Sequence, residues 1–172
     1  MNELVNLDRL RDVLEEYAVA VRNLYQDNLV KSGRIASGDL LNSVECHVAL
    51  ANQEFVVSLT LRDYWQYVEE DTRPHWPPRD AILSWIQVKP ILPRPDANGR
   101  IPTPETLAYL IGRAMAGKSP NQANLKNPQG GTTGTHDLAK AVEEMNAQYR
   151  ARISEALGHD LEWYIRKIVA EG

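Results

Sequence analysis

The chain has 172 residues, of which 43% are hydrophobic and 24% charged, with a formal charge of −4 and a pI near 5.6. That length holds one ordinary domain able to bury roughly 70% of its unfolded surface, and the composition excludes wholesale disorder. No apolar run approaches the roughly 20 residues of a bilayer span, the charged start MNELVNLDRLRDVLEEY lacks a signal peptide's apolar stretch, and acidity without a Lys/Arg block argues against non-specific nucleic-acid binding.

Leu7, Leu10, Leu14, Tyr17, Val21 and Leu24 recur three and four residues apart, which predicts an amphipathic helix over 3–29 that packs on a following sheet. KSGRIASGDLLNS (31–43), with two glycines, breaks it. The period then becomes two: Val44, Cys46, Val48 and Leu50 alternate with polar or small residues, as do Phe55, Val57, Leu59 and Leu61. A hairpin over 43–61 turning at ANQE pairs Leu50 with Phe55, Val48 with Val57, Cys46 with Leu59 and Val44 with Leu61. Every pair is apolar, and a one-residue slip would turn the whole set to the wrong face.

Short helices and a proline-rich elbow fill 63–116. Asp63 is the expected N-cap of a short acidic helix in RDYWQYVEED, and Ile82, Leu83, Trp85 and Ile86 mark a second helix that ends before Pro90. ILPRPDANGRIP predicts an extended, turning connection. Thr103, Pro104 and Glu105 then form a helix start whose inner face is expected from Leu107, Leu110, Ile111 and Ala114.

Residues 117–134 contain one large aliphatic side chain, Leu125, and are expected to form a flexible loop. A C-terminal helix over 135–170 follows, with Thr135 as N-cap and Gly158 as a possible kink. The fold class is thus α+β: an antiparallel sheet built around the hairpin, packed against a long N-terminal and a long C-terminal helix within a single domain.

The residues for chemistry are scattered. His47, His75, His136 and His159 lie in four separate elements, and Cys46, the single cysteine, leaves a strand on the opposite face from His47, so no metal or other cofactor is expected. The lone thiol also permits no internal disulfide, which fits a reducing compartment. There is no GxSxG elbow to activate Ser43 or Ser84, and Glu15/Glu16, Glu69/Glu70 and Glu143/Glu144 read as solvated helix faces. GGTTGT (130–135) precedes a helix but lacks the Gly-Lys-Ser/Thr ending of a phosphate loop, so a flexible hinge is expected there.

The segment TRPHWPP (72–78) carries three prolines. They fix three φ angles and push their predecessors toward extended geometry, so Arg73, His75 and Trp76 are held in place before anything binds. Two readings remain open: a contact arm, or a strap that packs Trp76 on its own core while Arg73 pairs with the run from Glu69 to Asp71.

In order, ASGDLLNS (36–43), the hairpin, YWQYVEEDTRPHWPP (64–78), a Trp-bearing helix and GTTGTHDL before the last helix resemble the tail-completion, or neck, proteins of tailed bacteriophages. Those proteins read similarly, with Tyr-x-x-Tyr-Val-Glu, then Gly-Thr-Arg-Pro-His and prolines, and a Gly-Thr-rich stretch later. Asp71 stands where they carry glycine. The resemblance covers roughly residues 15 to 157, through short motifs.

The resemblance implies a non-enzymatic virion component, made in the bacterial cytoplasm and assembled into a ring at the head–tail junction or tail. It implies no cofactor and no membrane. Its partners would be further copies of itself, portal or adaptor proteins and tail-tube proteins, with DNA only as passing cargo. Arg73, Pro74, His75, Trp76, Pro77, Pro78, Asn121, Asn124, Lys126, Gly130, Gly131 and Thr132 are the candidate subunit or partner contacts. The alternatives are a small hydrolase using His75 or His136, and an adaptor that binds a protein partner through its first helix.

Overall fold

The computed structural model describes residues 7–33, 35, 37–51, 54–89, 91–119 and 128–171. They form an α+β fold with a two-strand antiparallel hairpin, two long helices packed on each other and short helices between. The chain gathers into two compact units, Met1–Gly33 with Leu41–Arg62 and Asp137–Gly172, and Arg34–Leu40 with Asp63–His136. A one-turn helix, α2 (Asp39–Asn42), straddles the division. No helix among the described residues is long and apolar enough to cross a membrane.

In the first unit α1 spans Asp8–Ser32 and stops at Gly33, whose left-handed φ of 66° lets its N–H reach the Val30 carbonyl at 3.1 Å. Its buried residues are Leu10, Ala18, Val21, Tyr25 and Leu29. Tyr25 and Leu29, four and eight residues after Val21, continue the expected stripe, and α1 packs on two neighbours, the hairpin and the last helix. A helix with two partners buries a wider arc than a single stripe marks.

The strands β1 (Glu45–Ala51) and β2 (Glu54–Thr60) pair in the expected register, with Leu50 opposite Phe55, Val48 opposite Val57 and Cys46 opposite Leu59. One further pair, Ala51 with Glu54, narrows the ANQE loop to residues 52 and 53, which lie outside the described residues. Val44 precedes the ladder and is buried. Cys46, Val48, Phe55, Val57 and Leu59 are half-buried, alternating with exposed residues.

The last helix is the sixth, α6, Asp137–Glu171, and it runs unbroken through Gly158. Its contacts with α1 descend as α1 ascends: Leu10 meets Asp160, Glu16 meets Arg152, Tyr17 meets Asn146 and Asn28 meets Asp137. The pair is antiparallel. Tyr17 donates to Asn146 Oδ1 at 2.8 Å and stands edge-on to Tyr149, with ring centroids 5.8 Å apart. Burial pushes the Tyr17 phenol above its ordinary pKa, and Glu16 fixes the Arg152 guanidinium more firmly in its charged form.

In the second unit α3 (Trp65–Glu69) has Tyr64 at its N-cap, and Asp63 lies one residue too early to cap it. The helix α4 spans Arg79–Val88. The helix α5, Pro104–Met115, starts as expected, with Thr103 Oγ1 accepting from the Thr106 N–H at 3.3 Å and Pro104 in the first turn. Its inner face does not follow the expected large residues. Ala108 and Gly112 are the buried positions, Leu107 and Ile111 are half-buried, and Leu110 is exposed.

Candidate functional site

The elbow emerges from the end of α3 and is clasped there by a segment some 60 residues further on. Thr72 and Thr132 form an isolated antiparallel bridge: the Thr72 N–H donates to the Thr132 carbonyl at 2.9 Å, the Thr132 N–H to Thr72 Oγ1 at 2.9 Å, and the two hydroxyls meet at 2.7 Å. Around the bridge, Gly131 N–H donates to the Met115 carbonyl at 2.7 Å, Gly134 N–H to Asp71 Oδ1 at 2.8 Å, Thr135 N–H to the Val68 carbonyl at 3.0 Å and His136 N–H to the Glu69 carbonyl at 3.1 Å. The expected hinge is therefore a backbone-on-backbone clasp, and its amides serve protein acceptors rather than a phosphate.

Glycine is what allows this approach. A Cβ on Gly131 would lie 2.0 Å from the Thr72 carbonyl oxygen, and one on Gly134 would lie 2.2 Å from that of Glu69. Gly130 and Gly117 touch in the same way, so the segment between them begins and ends at one place. Asp71 is an anchor: besides accepting from Gly134 it lies 3.8 Å from His136 Nε2. Thr135, expected as the α6 cap, is buried two residues before that helix, its hydroxyl 3.5 Å from the buried Glu69 carboxylate.

Past the clasp, Arg73, Pro74 and His75 are exposed. His75 Nδ1 sits 2.9 Å from the Arg73 carbonyl; a carbonyl only accepts, so the ring proton is on Nδ1. Trp76 then divides its surface. One part packs on α5, where a Cβ on Gly112 would lie 3.6 Å from the indole and 3.4 Å from Ile82 Cδ1, while the residue as a whole remains 49% exposed. Pro77 is buried and Pro78 exposed. Prong and strap thus coexist: Arg73 to His75 project, while Trp76 and Pro77 seat.

The twelve expected contact residues therefore separate. Arg73, Pro74, His75, Pro78 and half of Trp76 are surface. Pro77 and Gly130 are buried within the unit. Gly131 and Thr132 are half-buried in the clasp. Asn121, Asn124 and Lys126 lie outside the described residues, as does the whole of 120–127 within the expected 117–134 loop.

Beside Trp76 lies a cleft of about 360 Å³. It is lined by the buried Ile82 and Ala108, by Trp76 and Tyr109, whose rings pack against each other with centroids 5.7 Å apart, and by the exposed Arg79 and Glu105. Glu105 is held below the ordinary carboxylate range, first by its own backbone amide, then by the Thr103 hydroxyl and the Arg79 charge. Sequence reasoning missed Tyr109 and Gly112. The available signal was the pair Ala108 and Gly112, small residues four apart on one helix face, where a neighbour can come close. Among the described residues no three His, Cys, Asp or Glu side chains gather as they would around a metal ion.

Compared with known protein families, curated proteins and solved structures, the chain matches none of them.

Proposed function

We propose that this chain is a non-enzymatic structural protein of a tailed bacteriophage virion, a subunit of a neck, connector or tail-completion ring that joins the portal or adaptor to the tail. The observation that supports this reading best is the elbow. Arg73, Pro74 and His75 stand exposed between two fixed points, the Thr72–Thr132 bridge on one side and the seated Trp76 and Pro77 on the other. A segment already held in one geometry loses little conformational entropy when it docks, so its cationic and apolar groups are presented for a partner.

Exposed apolar residues of the same unit, among them Tyr67, Trp85, Val88, Leu92, Ile101 and Tyr109, add to the area available for contact. Native mass spectrometry of the purified chain tests the reading, together with binding to isolated portal-bearing heads and tail tubes. A symmetric ring, or a monomer that joins either particle, is the expected result. A chain that does neither rejects the proposal.

A further inference from the structure

Among the described residues no third strand joins the hairpin of the first unit, and no backbone group outside the hairpin bonds to the backbone of β1 or β2. Each strand therefore keeps one edge whose N–H and C=O groups meet no other strand. A two-strand ribbon is marginal on its own, and α1 packs on it from one face. Even on its less exposed face, Cys46, Val48, Phe55, Val57 and Leu59 are only half-buried. The sheet is unfinished.

Natural proteins guard a free edge with lysine, proline or a bulge. These strands carry none of the three. ECHVALA and EFVVSLT contain no Lys, Arg, Pro or Gly, and the seven pairs from Glu45 with Thr60 to Ala51 with Glu54 follow one another without a bulge. From Phe55 to Leu61 the chain is uncharged and rich in β-branched and aromatic or aliphatic residues, the composition that pairs most readily with another strand.

A row of backbone donors and acceptors is complementary to another extended strand. Resting on the ring reading above, we infer that the β2 edge of one copy pairs antiparallel with the β1 edge of the next. The two edges belong to different strands, so the joint is head-to-tail, and repeating it around a closed ring pairs both edges of every copy. A two-fold dimer would pair one edge and leave the other open, whereas a sheet closed on itself has no edge left. Because side chains alternate, the joint also continues the face of Phe55, Val57 and Leu59 into that of Cys46 and Val48 of the next copy.

Proline tests the joint. Neighbouring residues of a strand send their N–H groups to opposite sides, so of Val56→Pro and Val57→Pro one removes a donor of the hairpin ladder and the other a donor of the free edge. His47→Pro and Val48→Pro divide in the same way for β1, and thermal melting identifies the folded member of each pair. The wild type should form closed oligomers in native mass spectrometry, and each folded edge variant should lose them by roughly tenfold or more, since proline both deletes a bond and obstructs the incoming strand. An equimolar mixture of a β1-edge and a β2-edge variant should stop at a heterodimer, because one sound edge of each kind remains. Amide exchange reads the joint without any substitution, and decides it where neither member of a pair folds: amides of β1 and β2 outside the hairpin ladder should be protected in the wild-type oligomer and exchange freely in the dissociated chain. Oligomers whose outer amides exchange freely, oligomers that survive the folded edge variants, or a mixture that gives no heterodimer overturn the joint and leave the ring reading standing. A β1-edge variant that still dimerises assigns β2 to a two-fold contact and overturns the head-to-tail joint. A wild type that never self-associates also overturns it, and binding to heads and tail tubes then decides the wider reading separately.

Discussion

The backbone N–H of Leu10 donates to Asp160 Oδ2 at 2.9 Å, joining positions 150 residues apart. The first turn of α1 needs this, since Leu7 at its N-cap makes no side-chain capping bond. A buried carboxylate from α6 satisfies one of the helix's orphan amides and places negative charge at the positive end of its dipole. Asp160→Ala should lower stability by about 1–2 kcal/mol. Asp160→Asn, which keeps an acceptor, should lose less. Urea unfolding at an unchanged m-value checks both.

Gly131 and Gly99 have nearly the same φ, 75° and 76°, but different surroundings. A Cβ on Gly99 meets nothing within 4 Å, whereas on Gly131 it strikes the Thr72 carbonyl. Gly99→Ala should lose about 1 kcal/mol, the left-handed penalty alone. Gly131→Ala should lose about 3 kcal/mol or more, because the clasp must open. Equal losses by denaturant titration would mean that the close approach contributes nothing.

Gly158 sits mid-helix in α6 with open space where a Cβ would go. Its flexibility then serves no packing need, and Gly158→Ala should raise stability by about 0.5–1 kcal/mol. A lower melting temperature would point to a contact at that position in the assembled protein.

Tyr17 gives a pH signature. Its folded pKa is raised above 10.0 by burial, so the folded state holds the phenolic proton longer than the unfolded chain does. The stability tied to this proton is complete below the unfolded pKa near 10 and is lost as pH rises through the folded value. The same proton makes the bond to Asn146. Tyr17→Phe should flatten the alkaline decline relative to the wild type in melts above pH 9.

The elbow residues should separate by role. Arg73→Ala and His75→Ala touch exposed side chains and should leave stability within about 0.5 kcal/mol of wild type while weakening assembly. Trp76→Ala should weaken both, because the indole packs on Gly112 and beside Tyr109. Melting curves beside native mass spectra distinguish the two patterns.

What the sequence makes legible is short-range. Hairpin register follows from a period of two, and the Thr103 cap from four consecutive residues, so both appear in the structure as expected. The stiffness of the elbow follows from proline chemistry alone. What stays hidden depends on a distant partner. Asp160 looks like any helical aspartate until α1 arrives, and GGTTGT looks like a hinge until Thr72 lies beside Thr132. The inner face of α5 stays hidden for a related reason. Side-chain size argues for Leu110, but close approach by Trp76 and Ile82 favours Ala108 and Gly112.

The meeting of Gly117 with Gly130 also makes a place for engineering. A stretch whose two ends are pinned side by side can change length without moving its anchors, and each doubling costs only about 0.6 kcal/mol in closure entropy. A fluorescent tag or affinity peptide spliced between them would leave the clasp and the elbow where they are, and would report on assembly from a fixed address.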